Sequence, residues 1–115
     1  MATVALSPPN AILFVLDRGS QSRCIAVGTK PYVDGETTVT LTTNESEVIE
    51  EELKQCFEGS IETLTGTLSV VTCELAEIVK VNLDESAKAE VRIFCDDKRS
   101  PSRLVIYARP AWLRE

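Results

Sequence analysis

Hydrophobic and polar residues alternate along much of this chain with the period of a β-strand. Thr37 to Thr43 places Val39 and Leu41 on one face and threonines on the other, which predicts a half-buried strand. The wholly apolar run Ala11 to Leu16 is typical of a central strand covered on both faces. After a glycine-serine turn signal, Arg23 to Val27 predicts a second strand that pairs with it as a hairpin.

The second half of the chain returns to the same period of two. Residues 64–70 alternate leucine and valine with threonine and serine, and Ala89 to Cys95 repeats the alternation. Arg103 to Ala108 is strongly apolar, and the polar residues before it predict a C-terminal hairpin. Residues 74–80 fit a short helix as well as a strand, and we favour the strand.

One segment has the period of a helix. Asn44 is a good N-cap, Glu47 follows three residues later, and Gly59 stands where a helix C-terminus is expected, so residues 45–58 predict a helix. Its apolar half comprises Val48, Ile49, Leu53, Cys56 and Phe57. The opposite half carries Glu47, Glu50, Glu51, Lys54 and Glu58. This helix is expected to lay one face on a sheet and to expose an acidic stripe.

These elements predict an antiparallel α+β domain. We expect a sheet of six to seven strands, curled into a barrel or split into a sandwich, with one amphipathic helix after the third strand. The 115 residues suit a single domain, with 1–9 and 110–115 as flexible or lid-like ends. Because one helix covers only one face of a sheet, a homodimer is a further expectation.

The charges are unevenly distributed along the chain. The net charge is −6, but residues 44–97 sum to −10 and residues 98–115 to +4. One interpretation is that the basic C-terminal part folds beside the acidic helix and partly neutralises it. The other is that the acidic stripe, formed by Glu47, Glu50, Glu51 and Glu58, attracts a basic protein partner.

The C-terminal segment offers a second candidate contact. Trp112 is the only tryptophan, and Arg109 and Arg114 flank it. It either folds back onto the core as a lid or projects as an anchor for a partner. The partner-binding candidates are therefore Glu47, Glu50, Glu51, Glu58, Arg109, Trp112 and Arg114.

The chemistry-bearing residues argue against catalysis. The chain has no histidine, no phosphate-binding glycine loop and no Cys-x-x-Cys pair, so we expect no catalytic residue, cofactor or metal. Its acid pairs fall in predicted turns, where solvated carboxylates are usual. Cys24, Cys56, Cys73 and Cys95 lie in apolar segments, which favours four buried, reduced thiols over a disulfide pair or a metal site.

Together these patterns predict a small cytoplasmic protein-binding module without enzymatic activity, of the inhibitor, adaptor, chaperone or toxin-neutralising type. The absence of a basic, long apolar start argues against export, and no apolar run is long enough to span a membrane. Nucleic acid is a poor partner for so acidic a chain. The alternatives are a self-assembling structural subunit with acidic-helix to basic-tail contacts, and a histidine-free enzyme.

Overall fold

The computed structural model describes residues 2–17, 24–31, 35–44, 53–63, 65–83, 88–97, 99 and 101–110. These residues form nine β-strands in two sheets that share one core. In chain order the strands are β1 (Ala2–Leu6), β2 (Ile12–Leu16), β3 (Cys24–Gly28), β4 (Thr37–Thr42), β5 (Lys54–Glu62), β6 (Thr67–Thr72), β7 (Glu77–Asn82), β8 (Lys88–Cys95) and β9 (Arg103–Pro110). The helical content of the described residues is a single 3-10 turn, Pro9–Ala11.

The sheets contain five and four strands. The larger has the order β1-β4-β9-β8-β5 and the smaller the order β3-β2-β6-β7. Neighbouring strands are antiparallel, except that β4 and β9 run parallel. The edge strands are therefore β1 and β5 in one sheet and β3 and β7 in the other.

The core lies between the two sheets and follows the alternation of the sequence. In β4, Val39 and Leu41 are fully buried, whereas Thr38 and Thr40 on the other face are half-buried. Other fully buried core side chains are Leu13, Val15, Leu68, Val70, Ile93 and Ile106. Burying one such side chain is worth roughly 1.5–3 kcal/mol, so this shared face holds the sheets together.

A second apolar cluster lies on the outer face of the five-stranded sheet. Phe94 of β8 pairs with Val105 of β9, and both are buried together with Leu53 and Tyr107. Strands β8 and β9 therefore bury apolar residues on both faces, which explains the nearly continuous apolar run in β9.

Several predictions of strand pairing are confirmed. Strands β2 and β3 form the expected hairpin, from the pair Ile12 and Gly28 to the pair Leu16 and Cys24. Strands β8 and β9 form the C-terminal hairpin. The strand alternative for residues 74–80 is correct for 77–80, which belong to β7 (Glu77–Asn82), whereas residues 74–76 precede the strand.

The predicted α+β class, with one antiparallel sheet of six to seven strands and a helix, is wrong. The described residues form an all-β structure with two sheets, one of them mixed. Within the predicted helix 45–58, residues 54–58 begin strand β5, and residues 45–52 lie outside the described residues. The N-terminal segment, to which no strand was assigned, contributes β1, paired with β4.

Candidate functional site

An apolar groove opens at one side of the two sheets. On the opposite side, β7 packs against β1 and β4. Between the edge strands β3 and β5 lies a cavity of about 280 Å³. It is lined by Ala26, Val27, Gly28, Cys56, Phe57, Ile93, Cys95, Pro101 and Leu104. We call this cavity the β3/β5 groove.

Strand β5 forms one wall, and an irregularity in its pairing shapes that wall. The register with β8 shifts between Gln55 and Phe57, which leaves Cys56 as the extra residue of a β-bulge. A bulge bends a strand and redirects the side chains that follow it. Phe57 then pairs with the core residue Ile93 and is 37% exposed, so its ring lies at the groove with one part open to solvent.

Gly59 allows the Phe57 ring to lie along the strand. A Cβ at residue 59 would lie 2.8 Å from the ring Cζ of Phe57, closer than real Cβ atoms approach a neighbour. Any larger residue at position 59 would therefore displace the ring. The glycine therefore leaves room for Phe57, the one aromatic side chain among the residues that line the groove.

A buried hydroxyl ties the end of β3 to the loop before β9. The N–H of Lys30 donates to Thr37 Oγ1 (3.0 Å), and that hydroxyl donates to the carbonyl of Pro101 (2.8 Å). Thr37 is fully buried and Pro101 lines the groove. One side chain therefore connects three chain segments at the end of the groove.

The loop between β8 and β9 is closed by Asp96. Its Oδ1 accepts hydrogen bonds from the N–H groups of Ser102 (3.0 Å) and Arg103 (3.2 Å), and its Oδ2 accepts from the Ser102 hydroxyl. Partial burial raises the pKa of Asp96, but the hydrogen bonds from Ser102 and Arg103 outweigh it and lower the pKa below 3.8. The carboxylate thus holds in place the loop that carries Pro101.

The net charge of the described residues next to the groove is opposite in sign to the net charge of the whole chain. Among the described residues, those within two positions of a lining residue include five bases and three acids, although the whole chain carries −6. The bases are Lys30, Lys54, Arg92, Arg99 and Arg103, and the acids are Glu58, Asp96 and Asp97. Bases therefore outnumber acids among the described residues next to the groove.

All four cysteines are free thiols, which agrees with the prediction of reduced cysteines. The expectation that all are buried is wrong, because only Cys95 is fully buried and Cys24 is exposed on the edge strand β3. Cys56 and Cys95 both line the groove. Cys73 lies elsewhere and accepts a hydrogen bond from Asn10 Nδ2 (3.4 Å).

Two of the seven predicted partner-binding residues lie in described strands. Glu58 is on β5, where its carboxylate meets Arg92 Nε at 3.6 Å and Gln55 Nε2 at 3.5 Å. Arg109 is on β9 and forms an ion pair with Glu90 at 2.8 Å. The strand β8 separates them, so the structure does not bring them into one site. The other five, Glu47, Glu50, Glu51, Trp112 and Arg114, lie outside the described residues.

The groove itself was missed because its walls come from four strands. A local signal for one wall was present: Phe57, Gly59 and Ile61 alternate with Glu58, Ser60 and Glu62, which is a strand pattern. The sequence alone does not place this strand beside β3, since sheet order depends on contacts between distant residues.

The buried Asp17 has a structural role in the described part of the chain. Asp17 is buried and accepts hydrogen bonds from the Thr65 N–H (2.9 Å) and hydroxyl (2.7 Å), which joins the end of β2 to the turn before β6. No group of three metal-ligating side chains occurs among the described residues. No described helix has the length and apolarity needed to cross a membrane.

Comparison with family models, curated proteins and solved structures gave no match for this chain. The fold and the groove define this protein as an all-β sandwich with an apolar opening between two edge strands. Any inference about function rests on these residues.

Proposed function

We propose that this protein is a non-catalytic binding module that holds an extended segment of another protein in the β3/β5 groove. The observation that carries the proposal is the position of β5, a nine-residue edge strand directly beside an apolar groove. An edge strand offers unpaired N–H and C=O groups to a second chain. Strand addition uses those groups for affinity and adjacent pockets for specificity.

The open shape of the groove, more than its volume, favours a peptide over a small-molecule ligand. Sites for drug-sized ligands span roughly 300–1,000 Å³ and are enclosed on most sides. At about 280 Å³ and open to solvent, this groove suits one or two side chains of a bound segment. Phe57, with 37% of its surface exposed, supplies an aromatic contact at the groove.

The protein class proposed here, a non-catalytic binding module, is the one predicted from the sequence. The binding surface differs, because it is the β3/β5 groove and not the acidic stripe. The acidic stripe was expected on a helix, but Glu58 lies on β5 and its carboxylate is already engaged by Arg92 and Gln55. A basic partner on that stripe is therefore not part of this proposal. We place the protein in the cytosol, where free thiols such as Cys24 stay reduced.

The test is a selection of extended peptides from a displayed random library, followed by a variant that blocks the groove. Gly28 lines the groove, and a Cβ there meets no atom within 4 Å, so Gly28→Leu adds bulk without displacing the core. The matched control is Ala5→Leu, on the exposed face of β1 at the far edge of the other sheet.

Selected peptides should slow amide hydrogen exchange in β5, because strand addition pairs its free backbone groups. Gly28→Leu should weaken their binding by about tenfold or more, a loss of about 1.4 kcal/mol, whereas Ala5→Leu should leave it unchanged. Peptides that bind without protecting β5, and equally well to Gly28→Leu, would refute the proposal.

A homodimer is a second candidate, favoured by a different surface. Ile12 and Phe14 are half-buried on the outer face of β2, so part of each apolar side chain is open to a second copy. Sedimentation velocity at micromolar concentration separates the candidates. A dimer dispersed by Phe14→Glu supports self-association, and a strict monomer removes it.

A further inference from the structure

We infer that the segment held in the β3/β5 groove carries acidic residues beside its apolar side chain. This inference rests on the proposed function and deepens it, since it names the chemistry of the partner. It is carried by the charges next to the groove and by the way each is already engaged.

The acids beside the groove already form hydrogen bonds or ion pairs within the molecule. Asp96 is held by the backbone N–H groups of Ser102 and Arg103, and Asp97 Oδ1 accepts from the N–H of Arg99 (2.9 Å). Glu58 faces Arg92 at 3.6 Å. These carboxylates therefore have partners before any segment binds.

Three of the bases next to the groove form no ion pair with a described acid. Among the described residues, no acid forms an ion pair with the side chains of Lys30, Lys54 or Arg99. They come from separate parts of the chain: Lys30 follows β3, Lys54 begins β5, and Arg99 lies before β9. An acidic group on a bound segment would give these cations a partner.

The same three residues are each close to a residue that lines the groove. Lys54 is the cross-strand partner of Cys95, which lines the groove. Lys30 is linked through the Thr37 hydroxyl to Pro101, another lining residue. Arg99 is two residues before Pro101 in the loop that Asp96 closes. In the described part of the chain, these three cations without an acidic partner therefore lie toward one end of the groove.

The overall charge of −6 does not oppose this preference at short range. At physiological ionic strength, interactions between exposed charges are largely screened beyond about 8 Å. An acidic residue within a few ångströms of Lys54 or Arg99 therefore responds mainly to those two cations. A distant acidic surface affects the approach of the segment more than its final affinity.

The test uses three synthetic peptides that differ only in their ends. Each has a core of alternating valine and threonine with one central phenylalanine, flanked on both sides by aspartates, serines or lysines. Binding is measured by fluorescence anisotropy at low and high salt to the unmodified protein, to Lys54→Gln and to Gly28→Leu. The matched control is Lys80→Gln, which removes an exposed lysine from the edge strand β7.

The aspartate peptide should bind about 3- to 10-fold more tightly than the serine peptide at low salt, and the lysine peptide more weakly. High salt and Lys54→Gln should each reduce this preference, and Lys80→Gln should not. Equal binding of all three peptides, still weakened by Gly28→Leu, would overturn the acidic segment and leave the proposed function standing. Binding insensitive to Gly28→Leu, or no binding with any of them, would count against the proposed function itself.

Discussion

The Thr37 hydroxyl connects the chain after β3 to the loop before β9, and replacing it tests how the groove is held. Valine has nearly the shape of threonine, so Thr37→Val removes the hydroxyl without opening a cavity. The change deprives the Lys30 N–H and the Pro101 carbonyl of the partner that each has at 3.0 and 2.8 Å. Pro101 is buried, whereas Lys30 is half-buried and has partial access to water.

The expected cost follows from those two groups. Leaving a buried donor or acceptor unpaired costs about 1–3 kcal/mol, and water offsets part of the loss at Lys30. We therefore expect Thr37→Val to lower the free energy of unfolding by about 2 kcal/mol. With an unfolding entropy of about 2.1 cal/mol/K per residue, this is a drop in Tm of about 8 °C for a chain of this length.

Urea and thermal unfolding of three variants measure this cost. Thr37→Ser keeps the hydroxyl and loses one buried methyl group, so it should cost about 1 kcal/mol and be more stable than Thr37→Val. Thr40→Val, on the half-buried outer face of the same strand, should stay within about 0.5 kcal/mol of the unmodified protein. If Thr37→Val is as stable as the unmodified protein, or more stable than Thr37→Ser, the reasoning is wrong.

Three further predictions concern other parts of the molecule. The pKa of Asp96 is lowered in the folded state, so its contribution to stability is present above its ordinary value of 3.8 and is lost as pH falls through the folded pKa. Urea titrations should therefore show Asp96→Asn less stable at pH 7 and converging with the unmodified protein in acid; a pH-independent difference would contradict this. Leu75 has a φ of 66° and is 62% exposed, so Leu75→Asn should raise the free energy of unfolding by up to about 1 kcal/mol, and a loss in calorimetry would refute the strain. Thiol titration should give four thiols after denaturation, and in the native protein Cys24 should react first and Cys95 last; a lower count would reveal a disulfide.

The strands that could be predicted from the sequence are those whose side chains alternate without interruption. In β4, threonine alternates with Val39 and Leu41 over the whole strand, and the predicted boundaries differ from the observed ones by one residue. The β2 and β3 hairpin was predictable because its two apolar runs are close in sequence. Local pattern and short connections are sufficient for these elements.

The bulge at Cys56 explains why the beginning of β5 resembled a helix. One extra residue puts Cys56 and Phe57, which are adjacent in sequence, at the same groove, as neighbouring apolar residues share one face of a helix. Gly59 then resembled a helix C-terminus, but in the structure it accommodates the Phe57 ring within a strand. The single inserted residue thus interrupts the period of two at the start of β5.

The strands at the edges of the groove carry features that discourage nonspecific pairing. Strand β3 has five residues and β5 has nine, so the two edges beside the groove are unequal in length. Bulges and charged side chains on an edge strand discourage pairing with arbitrary chains, and β5 has the bulge at Cys56 as well as Lys54 and Glu62. A segment that pairs with β5 must therefore match these charges as well as fill the groove. This requirement explains how an exposed edge is compatible with selective binding.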